Sequence, residues 1–153
     1  LTAAGQLDPT MYGPGSLDSN MRRRSVYFFI KRSQLIPMMM LFDWPEHLVS
    51  IGQRATTTIA PQALLFMNGP LVRELAASLS ASLGEADVDD RIDRLFQRCF
   101  GRSPTAQEGE LASRFVAEQT AAYEAEGAQD ASRQAWTDLC QTLLSSSEFI
   151  YIE

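Results

Sequence analysis

Residues 87–101 read Asp-Val-Asp-Asp-Arg-Ile-Asp-Arg-Leu-Phe-Gln-Arg-Cys-Phe-Gly, and their spacing decides the fold class. Ile92, Leu95, Phe96, Cys99 and Phe100 recur at i, i+3, i+4, i+7 and i+8, which places them on one face of a helix. Asp87 stands where a helix cap is needed, and Gly101 where the chain can leave the helix through a left-handed residue. The same pattern recurs on both sides. Pro61 suits a first helical position, Gln62–Met67 gives one or two turns, and Asn68-Gly69-Pro70 interrupts. From Pro70, Leu71, Val72, Leu75, Leu79 and Leu83 share a face until Gly84. Downstream, Thr105-Ala106-Gln107-Glu108 has the capping-box form. Leu111, Ala112, Phe115, Val116, Gln119, Ala122 and Tyr123 then line one side as far as Gly127. A last helix from about Asp130 carries Trp136, Leu139, Cys140, Leu143 and Leu144.

The expected fold is therefore mainly α, a bundle of about four amphipathic helices over residues ~61–150, with antiparallel neighbours because the loops are short. Residues 1–60 read differently. Asp8-Pro9, Gly13-Pro14-Gly15 and Ser19-Asn20 punctuate an irregular arm. Val26-Tyr27-Phe28-Phe29-Ile30 is β-favouring and apolar on both faces, so a short buried strand or extended segment is expected there. Pro37 opens a brief helix through Met38–Phe42, ended by Asp43-Trp44-Pro45, and 46–60 reads as a loop. Arm (1–60) and bundle (61–153) are expected to pack as one domain.

Composition bounds the function. With 45% hydrophobic and 21% charged residues the chain is an ordinary globular one, large enough for a real core. No run approaches the ~20 apolar residues of a membrane span. Residues 1–60 carry six basic and four acidic side chains, whereas 61–153 carry seven and fifteen. A net charge of −6 argues against nonspecific nucleic-acid binding, which needs many phosphate contacts. One histidine and two cysteines, without a CxxC or CxxCH motif, leave no standard zinc or haem site, so no metal and no cofactor is expected in this chain. The start at Leu1, with no initiator Met or signal-like segment, suggests a C-terminal piece of a larger protein.

Several residue groups resemble one family when taken in order. They are Arg23-Arg24-Ser25-Val26-Tyr27 with Lys31-Arg32-Ser33, Phe42-Asp43-Trp44-Pro45, and Arg54 with Thr57-Thr58-Ile59-Ala60-Pro61-Gln62-Ala63-Leu64 and Met67-Asn68. Gly101-Arg102-Ser103-Pro104-Thr105 with Glu108, then Ser147-Glu148-Phe149, complete the series. Together they resemble the uncharacterised C-terminal domain of large planctomycete proteins that often carry an N-terminal cytochrome-c-like domain. The resemblance implies an exported, extracytoplasmic, multidomain bacterial protein. It implies no reaction and assigns no haem here.

The candidate site is the basic cluster Arg22, Arg23, Arg24, Lys31, Arg32 and Arg54. Its guanidinium groups suit a carboxylate or sulfate, as on an acidic or sulfated polysaccharide, with Trp44, Tyr27 or Tyr12 as aromatic platform. The competing reading pairs these arginines with acidic helices of the same chain and pins the arm. Glu85, Asp87, Asp89, Asp90 and Asp93 form an acidic knot that lacks the EF-hand pattern and reads better as a helix start. Asp43, His47 and Ser50 could suggest acid–base chemistry, but Pro45 breaks the helix that would align them. Met38-Met39-Met40 reads as core packing. Cys99 and Cys140 fall on apolar stripes, which favours buried thiols, while export would allow a disulfide. The function expected is a non-catalytic interaction or scaffold domain whose partners are other domains of the same polypeptide. The alternative is an accessory part of a polysaccharide-acting or redox enzyme whose catalytic or haem domain lies elsewhere.

Overall fold

A computed structural model describes residues 1–18, 20–31, 36–44, 52, 57 and 59–151. The apolar stripes become helices: α1 (Pro37–Leu41), α2 (Ala60–Asn68), α3 (Pro70–Ser82), α4 (Val88–Phe100), α5 (Ala106–Ala125), α6 (Ala131–Leu144) and α7 (Ser147–Ile150). Among the described residues there is no strand, so the fold is mainly α. The chain forms two compact units, residues 7–65 and residues 1–6 with 66–153.

In the helical unit, α6 is the central element and packs against both α3 and α5. Ala135, Trp136, Leu139, Cys140 and Leu144 of α6 share one buried cluster with Val72, Ala76 and Leu79 of α3 and Ala112 and Val116 of α5. Ile92, Leu95 and Phe96 of α4 complete it. Each large apolar side chain taken out of water here stabilises the unit by ~1.5–3 kcal/mol. Chain neighbours pair for α4 with α5 and α5 with α6, while α3 packs on α6. The α5 stripe is narrower than the sequence suggests. Only Ala112 and Val116 are buried, and Leu111 and Ala122 face solvent.

The punctuation holds at Gly101 and Thr105. Gly101 leaves α4 at φ +70°, and its N–H donates to the Gln97 carbonyl. That conformation costs a residue with a Cβ more than it costs glycine. Thr105 caps α5 reciprocally: its Oγ1 accepts the Glu108 N–H at 3.3 Å, and Glu108 Oε2 accepts the Thr105 N–H at 2.7 Å. Asp87 occupies the cap position of α4, but its side chain makes no capping bond.

In the unit of residues 7–65 one expectation is met in part. Val26–Ile30 forms no strand, but its extended alternative holds at Phe28. Ser25–Tyr27 is a single 3-10 turn, and Phe28 alone is buried, through one parallel bridge to Ser16. Val26, Phe29 and Ile30 are exposed. β propensity describes a fit to a pleated surface, and here one bridge is all the described surface that receives it. α1 follows Pro37 as its spacing predicts, with Met38, Met39 and Met40 half-buried.

Candidate functional site

Arg23 of the basic cluster faces its own chain. Its Nε donates to the Thr10 carbonyl at 3.0 Å, Nη1 to Pro14 at 3.4 Å, and Nη2 to Tyr12. The guanidinium carbon lies 3.8 Å from the centre of the Tyr27 ring, a cation–π stack. Tyr27 in turn accepts the Tyr12 N–H on its hydroxyl at 3.1 Å. Arg23 therefore straps the 10–14 loop. Arg22 and Trp44 are half-buried and Arg24 is exposed. Arg32, Arg54, His47 and Ser50 lie outside the described residues, as does most of 46–60.

The second cluster joins two pieces of the sequence pattern. Asp43 takes a left-handed φ of +55°. Its carboxylate accepts both the N–H of Thr57 at 2.6 Å and its hydroxyl at 2.7 Å. Beside it, Gln62 is fully buried, 1% exposed. The Gln62 amide donates to the carbonyls of Leu41 (2.7 Å) and Thr57 (3.0 Å), and its oxygen accepts the Ile59 N–H at 3.3 Å. One buried amide thus ties the end of α1, the 57–59 segment and the start of α2. A buried amide suits this place because it both donates to carbonyls and accepts an N–H.

A third cluster occupies the α4–α5 corner. Arg102 grips Glu108 with Nη1–Oε2 at 2.9 Å and Nη2–Oε1 at 2.7 Å. It grips Glu148 of α7 with Nε–Oε1 and Nη2–Oε2, both at 2.9 Å. The same guanidinium stands 5.6 and 5.5 Å from the ring centres of Phe96 and Phe100. Two carboxylates use its fork, so the Gly-Arg-x-Pro-Thr-x-x-Glu and Ser-Glu-Phe pieces serve to lock α7 to the corner. Hydrogen bonds from Arg102, then from Thr105, hold the Glu108 carboxyl down at about 2; Arg102 also lowers Glu148 and is itself raised. A carboxyl depressed by folding stabilises above its unfolded value, near 4.5, and loses that contribution as pH falls through about 2. Arg102→Gln should therefore lower the thermal midpoint by roughly 2–4 °C at neutral pH. The gap to wild type should close between about pH 4.5 and 2. A gap that persists at the acid end, or is absent at neutral pH, would contradict the clamp.

Sequence reading missed a fourth group. Arg73 of α3 donates through Nη1 to Asp138 and, at 3.0 Å, to Gln141. Tyr123 of α5 donates to the other Asp138 oxygen at 2.7 Å, which raises its own phenol. Gln141 reaches the Met67 carbonyl at 2.8 Å. Arg91, desolvated and so lowered, stacks 3.8 Å from the Trp136 ring centre. All these residues lie beside the apolar stripes, but the periodicity does not say which polar neighbours meet.

A family model described as PSD1, protein of unknown function (DUF1553), matches residues 1–116. The chain belongs to that family. No curated protein and no solved structure matches it. The PSD1 match takes in the Arg23 strap, the Gln62 tie and the Arg102–Glu108 half of the corner, and stops within α5. Glu148, Asp138 and Trp136 lie beyond it.

The remaining candidates in this PSD1 chain are structural in their surroundings. Asp89 and Asp90 sit exposed in the first turn of α4, where acids suit the helix dipole. Among the described residues no three potential ligands gather as a metal group would. Cys99 and Cys140 carry free thiols, pushed up by burial to about 11 and about 12. An open groove of about 580 Å³ is lined by Leu1, Thr2, Ala3, Gly5, Arg98 and Phe149, and it gathers none of the sequence candidates.

Proposed function

We propose that this PSD1 chain is a non-catalytic interaction domain of an exported, extracytoplasmic multidomain protein, and that it docks another domain of the same polypeptide on α2. The observation that carries this reading is the face α2 leaves in solvent. Ala60, Ala63, Leu64 and Met67 are exposed at i, i+3, i+4 and i+7, the spacing of a helix laid against a partner. Leu64 and Met67 are 52% and 61% exposed, and Ile59, just before the helix, is exposed too. No charged residue occurs from Ala55 to Val72. An uncharged apolar stripe suits a lasting, apolar contact better than a transient one. By contrast, Arg23, Asp43, Gln62 and Arg102 are engaged in bonds within the chain, which supports structural duty for the polar positions of the pattern.

The pair Leu64→Ser and Met67→Ser tests this. Exposed positions contribute little to folding, so chemical denaturation should shift by no more than ~0.5 kcal/mol. Affinity for the remainder of the polypeptide, produced separately, should fall at least about tenfold, since a buried side chain of this size is worth ~1.5–3 kcal/mol. Unchanged affinity with an intact fold would reject the reading. A folding loss above ~2 kcal/mol would reject it as well, because the two side chains would then be internal.

A further inference from the structure

We infer that residues 11–16 and 24–31 present a surface that fits an anionic lipid bilayer. The Arg23 strap organises this surface. Its bonds to Thr10, Tyr12 and Pro14, together with the Tyr12–Tyr27 bond, fix the 10–14 turn against Tyr27. Ser16 then pairs with the next stretch: its N–H donates to the Tyr27 carbonyl at 3.0 Å, and it accepts the Phe29 N–H at 2.8 Å. Gly15 suits this close approach, because a Cβ there would lie tightly, 3.2 Å from the Phe29 backbone. The two segments are held side by side, and several of their side chains are left in solvent.

Those side chains are large and apolar. Met11, Tyr12, Val26, Phe29 and Ile30 are 64, 80, 73, 53 and 54% exposed. Side chains lining a groove would be more covered than Tyr12 and Val26 are. These protrude, as side chains that enter an interfacial layer do. Cations bracket them: Arg24 and Lys31 are exposed and carry no partner among the described residues. No acidic residue occurs from Ser19 to Phe42. The nearest acids by sequence, Asp8 and Asp18, are turned to backbone N–H groups of Thr10 and Asn20, both at 2.9 Å. A sulfated polysaccharide would satisfy the cations but offer no apolar phase for five such side chains. An anionic bilayer supplies both, an apolar layer for the tips and headgroup charge for the rim.

The test is co-sedimentation of the full chain with vesicles of phosphatidylglycerol and phosphatidylcholine in equal parts, and with phosphatidylcholine alone. Binding should be at least about tenfold tighter to the anionic vesicles and should weaken as salt rises. Val26→Ser with Phe29→Ser should reduce it by about tenfold or more, with the thermal midpoint unchanged. Arg24→Gln with Lys31→Gln should cost about fivefold per cation and remove most of the preference for anionic lipid. Leu64→Ser with Met67→Ser should leave vesicle binding as it is, so this inference and the α2 reading fail separately. No sedimentation with anionic vesicles, or sedimentation indifferent to Val26 and Phe29, would overturn the inference. Saturable binding of heparin without any binding of vesicles would overturn it too and give the surface to a polyanion.

Discussion

Phe96→Ala is expected to lower the unfolding free energy by ~3–5 kcal/mol, a large effect for a single residue of the helical unit. Phe96 is 3% exposed and belongs to the cluster that α3, α4, α5 and α6 share. Its ring meets Phe100 edge-on, with centres 5.4 Å apart and planes at 67°. Removing the ring forfeits its transfer from water and leaves a cavity that four helices cannot close without moving. It also removes one of the two aromatic faces beneath Arg102. Against a domain stability of ~5–15 kcal/mol this is a large share, visible in the denaturant midpoint. A loss below about 1 kcal/mol would mean the Ile92–Phe100 stripe does not face the core.

The second large effect belongs to Gln62→Leu, a change that nearly keeps volume and removes the amide. The carbonyls of Leu41 and Thr57 and the N–H of Ile59 would each lose a bond in a partly buried site. Stranded buried groups cost ~1–3 kcal/mol each, and partial relaxation should leave a net loss of ~2–4 kcal/mol. Amide exchange should rise in residues 37–44 and 57–65, with the protection of 88–144 retained. Stability within ~0.5 kcal/mol of wild type would show that solvent replaces the amide and that the tie is dispensable.

How much of this was legible varies with the kind of signal. The helices were readable because burial on one side of a helix imposes a period, and Gly84, Gly101, Gly127 and the Thr105 box mark ends through purely local geometry. Val26–Ile30 misled because β-branched and aromatic residues show that a strand is permitted, whereas burial depends on what lies opposite. Only Ser16 pairs with it there among the described residues. Arg23 looked like a ligand-binding cation, since composition cannot reveal that its donors meet carbonyls nine to thirteen residues upstream. Arg102 and Glu148 were both singled out in the sequence, yet a separation of 46 residues hid their bond. Arg73 and Asp138, 65 residues apart, left no mark at all. Polar pairing across helices follows from the packing, which the period does not specify.

Oxidative footprinting of Met67 tests whether another domain covers α2. In the isolated chain the side chain is 61% exposed and should oxidise rapidly. In the whole polypeptide Met67 should be protected by about tenfold or more as the partner domain shields the thioether, with Met11 as an exposed reference. Equal Met67 oxidation in the isolated chain and the whole polypeptide would contradict it.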